Sequence, residues 1–266
     1  MSIITLLTDF GTDDAYVGIL KGAILMVNPA ATIIDITHAI ESQDLVEAAY
    51  LAGDYYKYFP EKTVHIVVVD PGVGSDRAII ALKIREQIFL APDNGVLTQL
   101  LDCSDVAGIV RVDNTQYFLK PVSKTFHGRD IFAPVGAHLA NGLQMMDVGT
   151  PIDPDIPVRL SLPQPFISKD GNIDGTIISI DRFGNLITNI DWNWFRRHYP
   201  AADKETLIFK IGGCFIKGLS PTYKSAGLNK PLVIVGSRGY FELSVNSGSA
   251  QQYFGTKKGD RVEIFV

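Results

Sequence analysis

The sequence predicts an α/β first half built on a mostly parallel sheet, followed by a smaller antiparallel β domain of barrel-like form. Three observations carry this. Short β-branched runs alternate with amphipathic helical stretches over roughly the first 140 residues. Prolines then crowd together at 151, 154, 157, 163 and 165. Beyond them most apolar runs have strand length and are bounded by turn residues.

Each element follows in order. Residues 3–8 form a first strand, and Tyr16 to Val27 an amphipathic helix closed by Asn28-Pro29. Thr32 to Ile36 is a second short strand. Asp44 to Tyr58 is helical, with Leu45, Ala48, Ala49, Leu51 and Ala52 as its apolar positions. A strand over 64–69 comes next. Residues 78–84 and 87–91 pair as a hairpin, and Asp93-Asn94-Gly95 turns into a short helix through Leu101. A last helix runs from Ile131 to Asn141 and stops at Gly142. Residues 1–150 make one domain and 151–168 a linker, because no helix tolerates that many prolines. The second domain, 169–266, carries strands at Gly175–Asp181, Leu207–Ile211, Leu232–Val235, Tyr240–Val245 and Arg261–Phe265.

Composition narrows the class. The chain has 266 residues and a net charge of −5, with no basic cluster, which disfavours nucleic acid as a partner. Cys103 and Cys214 form no CxxC and no disulfide framework, as befits a reducing cytoplasm. No apolar run reaches membrane-spanning length and the first residues lack a basic leader, so the expectation is a soluble, cytoplasmic protein.

Two strands end in carboxylates. One is Ile3-Ile4-Thr5-Leu6-Leu7-Thr8-Asp9, followed by Asp13 and Asp14. The other is Val64 to Val69, running into Asp70-Pro71-Gly72-Val73-Gly74-Ser75-Asp76-Arg77. Ligands of open α/β sheets sit outside such strand ends. Asp9 is favoured as a ligand group, while Asp13 reads as a helix cap. The loop from Asp70 can fold back to pair with Arg77, as a water-fixing site or as a plain surface ion pair. It lacks the Gly-Lys-Ser/Thr ending of a P-loop. His127 lies in Phe126-His127-Gly128-Arg129-Asp130, just ahead of a helix. His38, His65, His138 and His198 show no metal-ligand spacing. In the β domain, Asp181-Arg182-Phe183-Gly184-Asn185 and Ser237-Arg238-Gly239-Tyr240 suit either a flat polar ligand or simple turns.

Taken together, TDFGTDD, VVDPGVG with Arg77, APDNG, FHGRDIFAP, DRFGN with TNI, and SRGY resemble one family across nearly the whole chain. It is the S-adenosyl-L-methionine (SAM) hydroxide adenosyltransferases, the adenosine-forming SAM hydrolases related to fluorinase and chlorinase. The resemblance implies attack of water on the ribose 5′ carbon of SAM, giving adenosine and methionine. It implies no metal or other cofactor, SAM being the substrate. It also implies a homotrimer whose sites lie between the N-terminal domain of one subunit and the C-terminal domain of the next. Its Asp–Arg–His set falls on Asp70, Arg77 and His127. Ribose binding falls on Asp9, methionine binding on Asp14, Asp181, Ser237 and Arg238, and adenine binding on Asn185 with the backbone near Ser247. The halogenases have Ser where this chain has His127 and no Asp in the segment matching Val69 to Gly72, which points to the water-using branch. They also carry an Arg near the adenine, where this chain has Val245.

Two other readings compete. A calcium-dependent nucleoside N-ribohydrolase has a similar acidic opening, but with an Asp where this chain has Leu7, and an apolar side chain cannot ligate calcium. A protein that binds SAM without turning it over would share both domains.

Overall fold

The computed structural model describes residues 2–266. The chain divides into two compact units, one reaching to Leu160 and the other Ser161–Val266.

The first unit contains β1 (Ile3–Thr8), α1 (Tyr16–Val27), β2 (Thr32–Thr37), α2 (Leu45–Tyr55), β3 (Val64–Val68), β4 (Ile79–Ile84), β5 (Gln87–Pro92), α3 (Thr98–Leu101), β6 (Val106–Val112), α4 (Ala133–Ala140) and β7 (Gly149–Pro151). Its sheet has the order β2-β1-β3-β5-β4-β6-β7. The first four strands are parallel, and β4, β6 and β7 extend the sheet by antiparallel pairing. Successive residues of β1 and β3 point to opposite faces, and both faces are covered. Leu6, Ile66 and Val68 pack with Leu20 and Ile24 of α1 and Val135 of α4. Leu7, Val67 and Val69 pack with Ala48 and Ala52 of α2 and Leu100 of α3. Burial on both faces explains the continuous apolar runs seen in the sequence.

Several details differ from expectation. The long helix from Asp44 stops at Tyr55 and tightens into a 3₁₀ turn, Tyr56–Tyr58. Asp44 caps it by accepting from the Glu47 N–H at 2.9 Å. The helix near residue 131 starts earlier, as a π-turn over Gly128–Phe132 that runs into α4. Strand β6 was not anticipated, since Gly108 breaks its alternation. Asp13 does not cap α1; Ala15 occupies that position and no side chain caps the helix.

The second unit contains β8 (Phe166–Ile167), β9 (Ile173–Ile180), β10 (Leu186–Asp191), α5 (Trp192–His198), β11 (Ile208–Ile211), β12 (Cys214–Lys217), β13 (Pro231–Val235), β14 (Tyr240–Val245), α6 (Ala250–Phe254) and β15 (Arg261–Phe265). All its strand pairs are antiparallel, in the order β12-β11-β15-β9-β10-β14-β13, and β8 also pairs with β9. This barrel-like sheet closes around Phe195, Phe209, Phe241 and Leu243. Asp191 ends β10 and caps α5 by accepting from Trp194 N–H. That strand–helix junction escaped the sequence reading.

Candidate active site

A cavity of about 260 Å³ opens at the carboxyl ends of β1 and β3. Asp9, Asp70 and His127 line it, together with Phe10, Tyr16 and Phe126. Asp70 lies two residues beyond the end of β3. Arg77 returns to it through the loop, donating from Nε to Oδ1 at 2.8 Å and from Nη2 to Oδ2. The two side chains are 5% and 9% exposed, so this is a nearly buried, bidentate pair and no solvated surface bridge. Arg77 Nη2 also reaches His127 Nδ1 at 3.0 Å.

That last contact settles the imidazole's proton. A guanidinium only donates, so Nδ1 accepts and the neutral ring carries its hydrogen on Nε2. Burial and the neighbouring Arg77 charge both push the His127 pKa down, against the opposing pull of Asp70 and Asp130. His127 is therefore neutral at physiological pH.

Two devices bring the sequence-distant groups together. Gly74 has φ +79, and a Cβ there would lie 2.2 Å from the Lys124 carbonyl oxygen. Only glycine lets the Asp70–Arg77 loop lie against the segment that carries His127. Behind His127, Asp130 accepts from Ser123 N–H at 2.8 Å and from Arg129 at 2.6 and 2.9 Å. Burial raises the Asp130 pKa, but Arg129 and Ser123 outweigh it and hold the carboxyl below its ordinary range.

Asp9 accepts from the Gln43 N–H at 2.9 Å, and Gln43 itself has φ 67. Asp14 is exposed and does not line this cavity. Gln43, Ser42 and Tyr16 were missed in the sequence. The first two arrive from the turn before α2 with no local signature, whereas Phe10 and Phe126 sat inside the quoted motifs.

The second unit has a cavity of about 480 Å³ lined by Asp181, Phe183, Asn185, Tyr223, Val245, Ser247 and Gly248. Asp181 Oδ1 accepts from the Phe183 and Asn185 N–H groups, each at 2.9 Å, and Oδ2 accepts from Asn185 Nδ2 at 2.8 Å. The carboxylate thus shapes its own turn and orients Asn185. Gly184, at φ +82, permits the turn to press on α6, where a Cβ would meet Ser249 Oγ at 2.1 Å. Tyr223 donates to Glu242 at 2.8 Å, and burial with that carboxylate raises its pKa to about 12. Ser237 and Arg238 lie in the β13–β14 turn and do not line this cavity.

Among the described residues, no group of three or more His, Cys, Asp and Glu is arranged to hold a metal ion. No helix among them is long and apolar enough to cross a membrane.

Comparison with known proteins places the chain among relatives. The chain is 33% identical to an (R)-S-adenosyl-L-methionine hydrolase of Thermus thermophilus, over 97% of each protein. It is 29% identical to a fluorinase of an Actinoplanes species, over 98% of this chain and 97% of the other. A crystal structure of a conserved protein from Thermotoga maritima superposes with a TM-score of 0.91 at 37% identity, covering 99% of this chain and 100% of that one. The profile of the SAM hydroxide adenosyltransferase N-terminal domain matches residues 4–149, and that of the C-terminal domain matches 175–263. A carboxylate–guanidinium–imidazole set at a parallel strand end and a second cavity in a β unit thus occur in a chain that belongs to the SAM hydroxide adenosyltransferase family.

Proposed function

We propose that this protein hydrolyses S-adenosyl-L-methionine to adenosine and L-methionine by in-line attack of a positioned water on ribose C5′. The observation that carries this is the nearly buried Asp70–Arg77 pair bonded to His127 at the wall of the cavity. The sulfonium leaves as a neutral thioether, so the leaving group needs no acid. The difficulty lies in the nucleophile, and a fixed water removes several kcal/mol of entropic barrier. Each Asp70 oxygen keeps a lone pair after bonding Arg77, whereas the His127 Nδ1 lone pair is already engaged. Asp70 accordingly takes the water's proton, Arg77 stabilises the developing hydroxide, and His127 holds Arg77. Positive charge on sulfur vanishes along the path, so a cavity poor in water favours the transition state.

Asp9 takes the ribose hydroxyls, and the cavity of the second unit takes adenine and the methionine end around Asn185, Ser247 and the Asp181 turn. The family resemblance adds Asp14, Ser237 and Arg238 for the methionine end, although none of the three lines either cavity. The identity to hydrolases of this name and the presence of both Asp70 and His127 support the hydrolase over the halogenase branch. Leu7 supports it over a calcium-dependent nucleoside hydrolase, because that side chain is fully buried in the core.

The assembly proposed is a homotrimer in which each first cavity is completed by a neighbour's second unit. Supporting this, α1 is apolar on its outer face, where Ile19, Leu25 and Met26 are 44%, 42% and 76% exposed. That face adjoins Tyr16 at the cavity. The protein is assigned to the cytoplasm on its sparse cysteines.

One experiment tests both parts. Purified protein is sized by light scattering, and the same fraction is given SAM and assayed by chromatography. A trimer releasing adenosine and methionine is expected. Free adenine would indicate the nucleoside hydrolase, no product a binding protein, and full activity in a monomer would overturn the shared site.

A further inference from the structure

We propose that Asn94 is a positioning residue for the hydrolytic step, acting through the loop that carries Asp70 and Arg77. This rests on the function proposed above. The loop leaves β3 after Val68 and enters β4 after Ala78, yet β3 and β4 are not neighbours in the sheet. Strand β5 lies between them. The loop must therefore cross over the end of β5, and the turn that follows β5 lies beside both of its shoulders.

That turn holds both. Asn94 Nδ2 donates to the carbonyl of Val69, the residue before Asp70, at 2.9 Å. The N–H of Asp93 donates to the carbonyl of Ala78, the residue after Arg77, at 2.9 Å. The amide orientation of Asn94 is fixed, because its Oδ1 accepts from Val96 N–H at 3.2 Å and a flip would break both bonds. Asp93 Oδ1 in turn accepts from Val158 N–H at 2.8 Å. Asn94 is half-buried and does not line the cavity, so it acts through the loop and not by contact with the reacting atoms.

Its bond sets where Val69 ends, and thereby where the Asp70 carboxylate begins. A misplacement of about 1 Å in such a group costs roughly 10²-fold in rate. Asp9, Asn185 and the other proposed binding groups do not depend on Val69, so affinity is spared.

The test is Asn94→Asp, nearly isosteric, which keeps the acceptor for Val96 and replaces the donor with an oxygen facing the Val69 carbonyl. Asn94→Ala, which adds no opposing oxygen, is the second variant in case the first is poorly folded. The expected result is a kcat lowered about 10–100-fold with KM within about twofold of wild type. The Arg77 Nε–H resonance, measured by NMR without substrate, should also move as its bond to Asp70 is disturbed. A kcat within twofold of wild type in folded variants would overturn the proposal. So would equal losses in kcat and affinity accompanied by a collapsed melting temperature, which would make Asn94 merely structural. Wild-type protein that released no adenosine would sink the proposed function alone. In that case the unchanged or shifted Arg77 resonance still decides whether Asn94 positions the pair.

Discussion

The two cavities hold their aspartates in different ways. In the first, Arg77 with His127 and Asp9 with Gln43 come from far apart in sequence, and Asp70 meets Arg77 across its own loop. In the second, Asp181 bonds only its own turn, to Phe183 and Asn185. Long-range bonding holds reactive groups at fixed mutual distances, which chemistry requires. Local bonding builds a shaped wall, which recognition requires. On this ground we propose catalysis for the first cavity and selectivity for the second.

The largest effect that can break this division is in the first cavity. Asp70→Ala should lower turnover by roughly 10²–10⁴ with KM little changed, as steady-state kinetics will read. Lost affinity with unchanged turnover would instead make the loop a binding element. In the second cavity, Asp181→Asn keeps an acceptor for the two N–H groups and loses only the Asn185 side-chain bond. KM should rise by less than about tenfold at constant kcat. A fall in kcat would erase the distinction between the cavities.

The smallest effect concerns the core beneath the first cavity. His65 is fully buried, bonded through Nδ1 to Thr5 Oγ1 at 2.8 Å and stacked on Phe89 at 4.5 Å. Burial pushes its pKa down to about 3, from an ordinary 6.5. The unfolded chain therefore binds a proton that the folded one refuses. Stability is full above pH 6.5 and declines as pH falls toward 3. The melting temperature should drop between pH 6.5 and 5, less steeply in His65→Gln than in wild type. His127 and His138 lean the same way, so some slope should remain. Identical slopes in the two proteins would remove His65 from this account.

Legibility in the sequence tracks the same division. Asp9, Asp70 and the strands behind them were readable because buried parallel strands leave an uninterrupted apolar run that stops at the ligand side. His127 alone carried no signal and was picked out by the company of its motif. Ser42, Gln43 and Tyr223 were not readable, since each reaches its cavity by tertiary packing with no local pattern. Strand β10 was hidden because Thr188 and Asn189 are polar yet buried, satisfied by the Phe241 and Pro163 carbonyls. Asp13 failed as a cap because the chain enters α1 in helical geometry at Ala15.

Gly74 makes no bond to any reacting group, yet a methyl there would force the Asp70 loop off the Lys124 backbone. A survey of random substitutions scored only by activity would mark Gly74 alongside Asp70 and Arg77. The three would separate only when each variant is also asked whether it still holds its ligand. Intolerance to change at this position is thus a record of two chain segments touching, and a map of such intolerance traces the joint as faithfully as it traces the chemistry.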